Sequence, residues 1–198
     1  MFSRSEFEAT CKAFAGRHPE WTWVDGHTPG YGYLTRTTSH FYKVPAQSDP
    51  QLESIPLDGE IEDEASARPA RPALTVQESI AYAASFTTPA FYFTVHDTSG
   101  APLPLSDVLR TSLFKSGLPD GSQSTAFALT LPSASFPLLS QGDHPTLGTP
   151  CWYLHPCETD KAVDEFLREV EQPDWSEQSR HVRWLELWLM IVGSVLSV

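Results

Sequence analysis

Apolar residues open the chain at helical spacing, with Phe7, Cys11 and Phe14 falling at i, i+4 and i+7. Ser3 and Glu6 form a Ser-x-x-Glu capping pattern and Gly16 closes the run, so a helix is predicted from Ser3 to Gly16. Cys11 lies on its apolar stripe and reads as a small core hydrophobe. The period then changes to two. Trp21 to Val24 and Tyr31 to Val44 read as strands joined by a Gly/Pro turn. From Pro45 to about Thr75 the pattern is lost among five prolines and a run of acidic residues from Asp49 to Glu64, which predicts a flexible acidic insertion. Ser79 to Phe86 and Phe91 to Val95 predict a hairpin turned at Thr87-Thr88-Pro89. Ser106-Asp107 can cap a short helix through Phe114. Lys115 to Pro150 is rich in loop residues, with one short element expected at Thr125 to Leu131. Pro150 to Leu154 is a further strand. Thr159 or Asp160 can cap a helix from Lys161 to Val170 whose stripe is Val163, Phe166, Leu167 and Val170. A last helix starts near Ser179 and carries Val182, Leu185, Leu189 and Val192 on one face.

This order predicts an α+β fold, a single antiparallel sheet with helices at the N- and C-terminal ends. With 198 residues, 40% of them apolar, the chain has material for one domain over 1–198 that carries the insertion at about 45–75. The net charge of −12 argues against nucleic acid as a partner. Cys11, Cys151 and Cys157 make an odd set without framework spacing, and Met1 to Gly16 lacks a signal-peptide pattern, which fits reduced thiols in a cytoplasmic protein. The apolar run from Trp184 to Val198 falls short of the roughly 20 residues that span a bilayer and reads as a core helix. Trp184 and Trp188, at helical spacing, favour the core over a partner patch.

The chemistry points to His155-Pro156-Cys157. A thiol just past a Pro-flanked strand sits on a rigid loop, and a neighbouring imidazole can tune or orient it. His155 has two readings, orienting the thiolate or fixing the loop through the backbone. The second is favoured, because a transferase thiol needs only modest activation. His144 reads as a turn-fixing residue. A metal site from His144, Cys151, His155 and Cys157 lacks the Cys-x-x-Cys knuckle of structural zinc. A cysteine hydrolase would pair Cys157 with a distant histidine, His18, His27, His40, His96 or His181, and no sequence feature ties any of these to an orienting group.

The stretch Gln141-Gly142-Asp143-His144-Pro145-Thr146-Leu147-Gly148 through Leu154-His155-Pro156-Cys157-Glu158-Thr159 resembles the catalytic segment of the autophagy conjugating enzymes, which move a ubiquitin-like protein from a thioester onto a lysine. The likeness extends to Trp21-Thr22-Trp23, Gly30-Tyr31-Gly32-Tyr33-Leu34, Val76-Gln77-Glu78-Ser79, Pro89-Ala90-Phe91-Tyr92-Phe93, Pro102 to Val108, Trp184 and Val192-Gly193. Within the family it resembles the protein-conjugating branch more than the lipid-conjugating one, since no large central insertion is recognisable. The resemblance implies a ubiquitin-conjugating-enzyme-like fold and a thioester on Cys157. It implies autophagy-related protein 12 as the modifier, autophagy-related protein 7 as the activating enzyme and autophagy-related protein 5 as the lysine-bearing acceptor, with no cofactor and no metal. The related lipid-conjugating autophagy enzyme and a noncatalytic adaptor of the same fold are the alternatives. Ordinary ubiquitin-conjugating enzymes use an asparagine near the oxyanion, and this chain has no asparagine. Gln141, Thr146 and Thr159 are the substitutes that residue type and sequence proximity suggest. Glu158 and Asp160 can draw in the acceptor lysine. The Ser79 to Val95 hairpin is expected to dock the acceptor by sheet addition.

Overall fold

A computed structural model describes residues 2–43, 72–115, 117–156 and 159–198. Helix α1 (Arg4–Ala15) forms as its pattern predicts. Ser3 Oγ accepts from the Glu6 N–H and the Glu6 carboxylate accepts from the Ser3 N–H, closing the capping box. Its Phe7, Cys11 and Phe14 are buried.

Strands β1 (Thr22–Val24), β2 (Tyr33–His40), β3 (Leu74–Ala83) and β4 (Thr88–His96) follow as a meander. The start of β2 depends on glycine, because a Cβ on Gly32 would lie 2.2 Å from the Trp23 ring. After a single turn, α2 (Leu105–Val108), come β5 (Gln123–Ser124), β6 (Ala128–Thr130), β7 (Leu139–Asp143) and β8 (Pro150–Leu154). All pairs are antiparallel, in the order β1-β2-β3-β4-β8-β7-β6-β5. Helices α3 (Thr159–Val170) and α4 (Glu177–Val195) end the chain. The predicted α+β plan with one antiparallel sheet is the observed one.

Alternation along the strands divides the sheet into two faces. Leu34, Val76, Ile80, Phe91, Phe93, Trp152 and Leu154 pack in one cluster with Phe7 and Phe14 of α1, Val163 and Leu167 of α3, and Leu185 and Trp188 of α4. Tyr33, Ala81, Ala90, Tyr92 and Cys151 form a smaller cluster on the other face. Trp184 is buried too, and its Nε1 donates to Asp164 Oδ1 at 3.0 Å, tying α4 to α3. Among the described residues no helix is long and apolar enough to cross a membrane.

Several expectations need correction. Strand β3 starts at Leu74, five residues earlier than expected, because Leu74 to Glu78 alternates buried and exposed residues and finds partners on β2 (Thr75↔Ser39, Leu74↔His40). The β3–β4 turn falls at 84–87 rather than at Thr87-Thr88-Pro89. Pro89 lies within β4, where that strand pairs with β3 but not with β8, whose pairing covers only Tyr92 and Phe93. The expected helix to Phe114 is one turn long and begins at Pro104 without a side-chain cap. On α3, Val163 and Leu167 are buried, while Phe166 and Val170 are exposed. The insertion expected at about 45–75 falls largely outside the described residues.

Candidate active site

Strand β8 positions the site. It carries Trp152 and Leu154 into the helix-side core, while Cys151 and Tyr153 face the other way. His155 extends the ladder by one step, its N–H donating to Leu138 O at 3.0 Å, and Pro156 is buried. Two residues past His155 the sequence reaches Cys157. Cys157 and Glu158 lie outside the described residues, as do the side chains of Thr159, Asp160 and Lys161, although α3 begins at Thr159.

The antiparallel pairing fixes what shares this end of the sheet. Strand β8 runs against β4, so its C-terminal end lies beside the β3–β4 turn, and against β7, so it also lies beside the β6–β7 connection. The N-terminal segment joins them, the Phe2 N–H donating to Thr87 O at 3.1 Å and Tyr82 Oη to Phe2 O at 2.7 Å. The imidazole of His155 meets aromatic rings from two of these pieces. Phe86 approaches edge-on at 5.1 Å between centroids and Phe136 stacks at 5.6 Å, with Tyr153 farther off at 6.3 Å. Burial holds the His155 pKa below its ordinary value. Sequence reasoning missed Phe86 and Phe136. The register of a strand end is a nonlocal property, and neither loop position shows a period.

His144 belongs to the opposite end of β8, in the β7–β8 turn. Its Nδ1 accepts from the Thr146 and Leu147 N–H groups, at 3.2 Å each, so Nε2 carries the proton and donates to Ser79 Oγ at 3.0 Å. Burial pushes its pKa down to about 4. This is a neutral imidazole that fixes a turn.

The same geometry moves two oxyanion candidates away. Thr146 sits in that far turn and spends its hydroxyl proton on Tyr31 O at 2.6 Å. Gln141 pairs with Trp152 at the middle of the β7–β8 ladder, three residues back from His155. Of the three suggested residues only Thr159 adjoins Cys157 in sequence, and its side chain is among those outside the described residues.

The competing sites lose ground on geometry. Cys151 is buried, its Sγ donates to Gly142 O at 3.5 Å, and its pKa is pushed up to about 12 by desolvation and Asp143. Among the described residues no metal-type cluster includes His144, Cys151 or His155; the one found joins Glu6, Glu177 and His181 on α1 and α4. His18 does have carboxylate partners, Glu186 at 3.3 Å and Glu20 at 3.6 Å. They line a larger cavity of about 710 Å³ at the C-terminal ends of α1 and α4, away from the N-terminal ends that adjoin Phe2. The Ser79 to Val95 hairpin, the expected acceptor dock by sheet addition, is flanked on both sides over part of its length. β3 lies between β2 and β4, and β4 is flanked by β3 throughout and by β8 at Tyr92 and Phe93.

The described residues form one antiparallel α+β sheet, and the strand end of β8 leads through His155-Pro156 toward Cys157. The chain belongs to the family described as autophagocytosis associated protein, active-site domain, whose sequence model matches residues 6–198. It is 31% identical over 128 residues to the ubiquitin-like-conjugating enzyme ATG10 of Dictyostelium discoideum, covering 62% of this chain and 50% of that protein. The ATG10 enzyme of Homo sapiens is 26% identical over 119 residues, 60% of this chain and 47% of its own length. That of Arabidopsis thaliana is 31% identical over 121 residues, with the same two shares of 60% and 47%. The chain thus spans about half the length of the curated relatives it matches.

Proposed function

We propose that the chain is a ubiquitin-like protein transferase that carries its modifier as a thioester on Cys157 and passes it to a lysine. The observation that carries this reading is the family match over 6–198, which includes the His155-Pro156-Cys157 segment, together with the conjugating-enzyme names of its relatives. In the first step the Cys157 thiolate attacks the carbonyl of the modifier's C-terminal thioester on an activating enzyme. A new C–S bond forms as the old one breaks, and the activating enzyme's thiolate leaves. In the second, the lysine amine attacks that carbonyl. A C–N bond forms, the C–S bond breaks with its electron pair on sulfur, and the amine's proton leaves to solvent. The thioester keeps enough activation for this step to run without further ATP.

Within this reading, autophagy-related protein 12 is the modifier, autophagy-related protein 7 the activating enzyme and autophagy-related protein 5 the acceptor, all in the cytoplasm. His155 acts as an orienter of the loop, held by its backbone bond to Leu138 and its aromatic neighbours. Thr159 is the side-chain candidate for steadying the oxyanion or the loop, beside backbone N–H groups. Residues 1–198 act as one conjugating domain, and the acidic stretch is a spacer. The test is reconstitution with those three proteins and ATP. A reductant-stable product joining modifier to acceptor supports the assignment, and charging without transfer to that acceptor removes it.

A further inference from the structure

Helix α4 carries Glu177 and His181 four residues apart, so both side chains leave it on one face. Glu6, in the first turn of α1, meets them there. One ligand-type atom from each of the three, two carboxylate oxygens and an imidazole nitrogen, lies within 4.8 Å of the other two. Among the described residues, no hydrogen bond or ion pair joins His181 to either carboxylate. The group is thus gathered without being closed on itself. The helix dipole accounts for an acid in each first turn, and Glu6 also serves the capping box. Neither accounts for an imidazole set beside the two acids.

The imidazole is held in place. Phe2 packs on it at 5.0 Å between ring centroids and meets Trp184 edge-on at 4.9 Å. Glu6 spends one oxygen, Oε2, on the Ser3 N–H, which leaves its second oxygen for another partner. Glu177 is exposed, so its side chain can turn inward.

The donor types decide what could bridge them. Mg²⁺ and Ca²⁺ take roughly six or more oxygen ligands, and an imidazole nitrogen does not suit them. A first-row transition ion accepts imidazole and carboxylate together, and Zn²⁺ is held in many proteins by such donors with water completing its shell. Bonds of about 2.0–2.2 Å to a tetrahedral ion put its donors about 3.3 Å apart. Rotation of the Glu177 side chain brings the present spacing toward that. The net charge of −12 favours a cation at the site.

We propose that Glu6, Glu177 and His181 form a site for one divalent transition-metal ion of the Zn²⁺ type, clamping the start of α1 to the start of α4. Phe2 lies against that clamp, and its backbone is bonded to Thr87 of the β3–β4 turn and to Tyr82. The ion would therefore steady the N-terminal segment at this end of the sheet. It takes no part in thioester chemistry, and the site stands apart from the acyl-carrier reading of Cys157.

The test uses the full chain, stripped of metal with a chelator, at pH 7.5. Zn²⁺ is titrated by calorimetry, and thermal melts are recorded with and without it, for wild type, Cys157→Ser, Glu177→Gln and His181→Ala. Wild type and Cys157→Ser should each bind one ion at this site. At a hundred times Kd, Zn²⁺ should raise their Tm by about 5–10 °C. Without metal, Glu177→Gln and His181→Ala should melt like wild type, because neither side chain belongs to the core. Each should bind Zn²⁺ more weakly by about ten-fold or more, since even the loss of an outer-shell partner costs that much. Co²⁺ in place of Zn²⁺ should give a visible d–d band without the near-ultraviolet charge transfer of thiolate ligation. No bound Zn²⁺, an affinity that either variant leaves unchanged, or a thiolate band that disappears in Cys157→Ser would each overturn the site. The last two would mark an adventitious ion only.

Discussion

His144 and His155 stand at opposite ends of one five-residue strand and are held in different ways. His144 is only 4% exposed, with all its hydrogen-bonding capacity committed to Ser79, Thr146 and Leu147. Protonating it would bury a charge, which is why its pKa falls to about 4. The folded value lies below the ordinary imidazole value, so the unfolded chain binds the extra proton first. The stabilisation is therefore fully present above about pH 6.5 and is lost as pH falls toward 4, a swing of about 3 kcal/mol. Urea titrations at pH 7.5 and pH 4.5 should give a smaller stability difference for His144→Gln than for wild type; an unchanged difference would show that His144 does not carry the proton linkage. His155 is held by a backbone bond and ring packing instead, at the end of β8 that leads to Cys157. The two His-Pro steps look alike in the sequence, and the residue types alone could not separate them. What separates them is the antiparallel register of β7 against β8, which sends one to the turn and the other to the open end.

Elements whose neighbours in sequence supply their structure were the legible ones. Helix α1 carries its own cap and stripe, and β8 runs from Pro150 to Leu154 with the bounds its pattern predicts. Strand β7 was not legible. Of its five residues only Leu139 is buried, and the strand exists because β8 pairs along its whole length. The same nonlocality hid the flanked position of the β3–β4 hairpin. On α3 the apolar stripe is wider than the surface that covers it. Leu167 reaches the core and Phe166 does not, being half exposed. Leu167→Ala should therefore destabilise by about 2–4 kcal/mol. Phe166→Ser should change stability by less than about 0.5 kcal/mol. Equilibrium denaturation of both variants checks the assignment, and comparable losses would mean that the two side chains are packed alike.

At the scale of the whole molecule, β2 pairs along its full length with β3, ending at His40 opposite Leu74. The intervening chain is thus closed at a fixed pair of ends, and the fold on either side does not depend on its length. Removing Gln47 to Ala70 shortens that connection to roughly a quarter and should raise stability by about 1 kcal/mol through reduced loop-closure entropy. A loss of stability in the deleted chain would show that the acidic stretch packs on the domain. The fold brings four separated pieces of sequence to one end of the sheet: the N-terminal segment, the β3–β4 turn, the β6–β7 connection and the end of β8. The central claim is that this end presents Cys157 as an acyl carrier. Its most direct test is a charging reaction with activating enzyme, ATP and the ubiquitin-like modifier, resolved on nonreducing gels for wild type and Cys157→Ser. Wild type should give a shifted band that thiol reductant removes, and Cys157→Ser should give a reductant-resistant band or none. A reductant-sensitive band that persists in Cys157→Ser, or a wild type that stays uncharged beside a competent activating enzyme, would contradict the account.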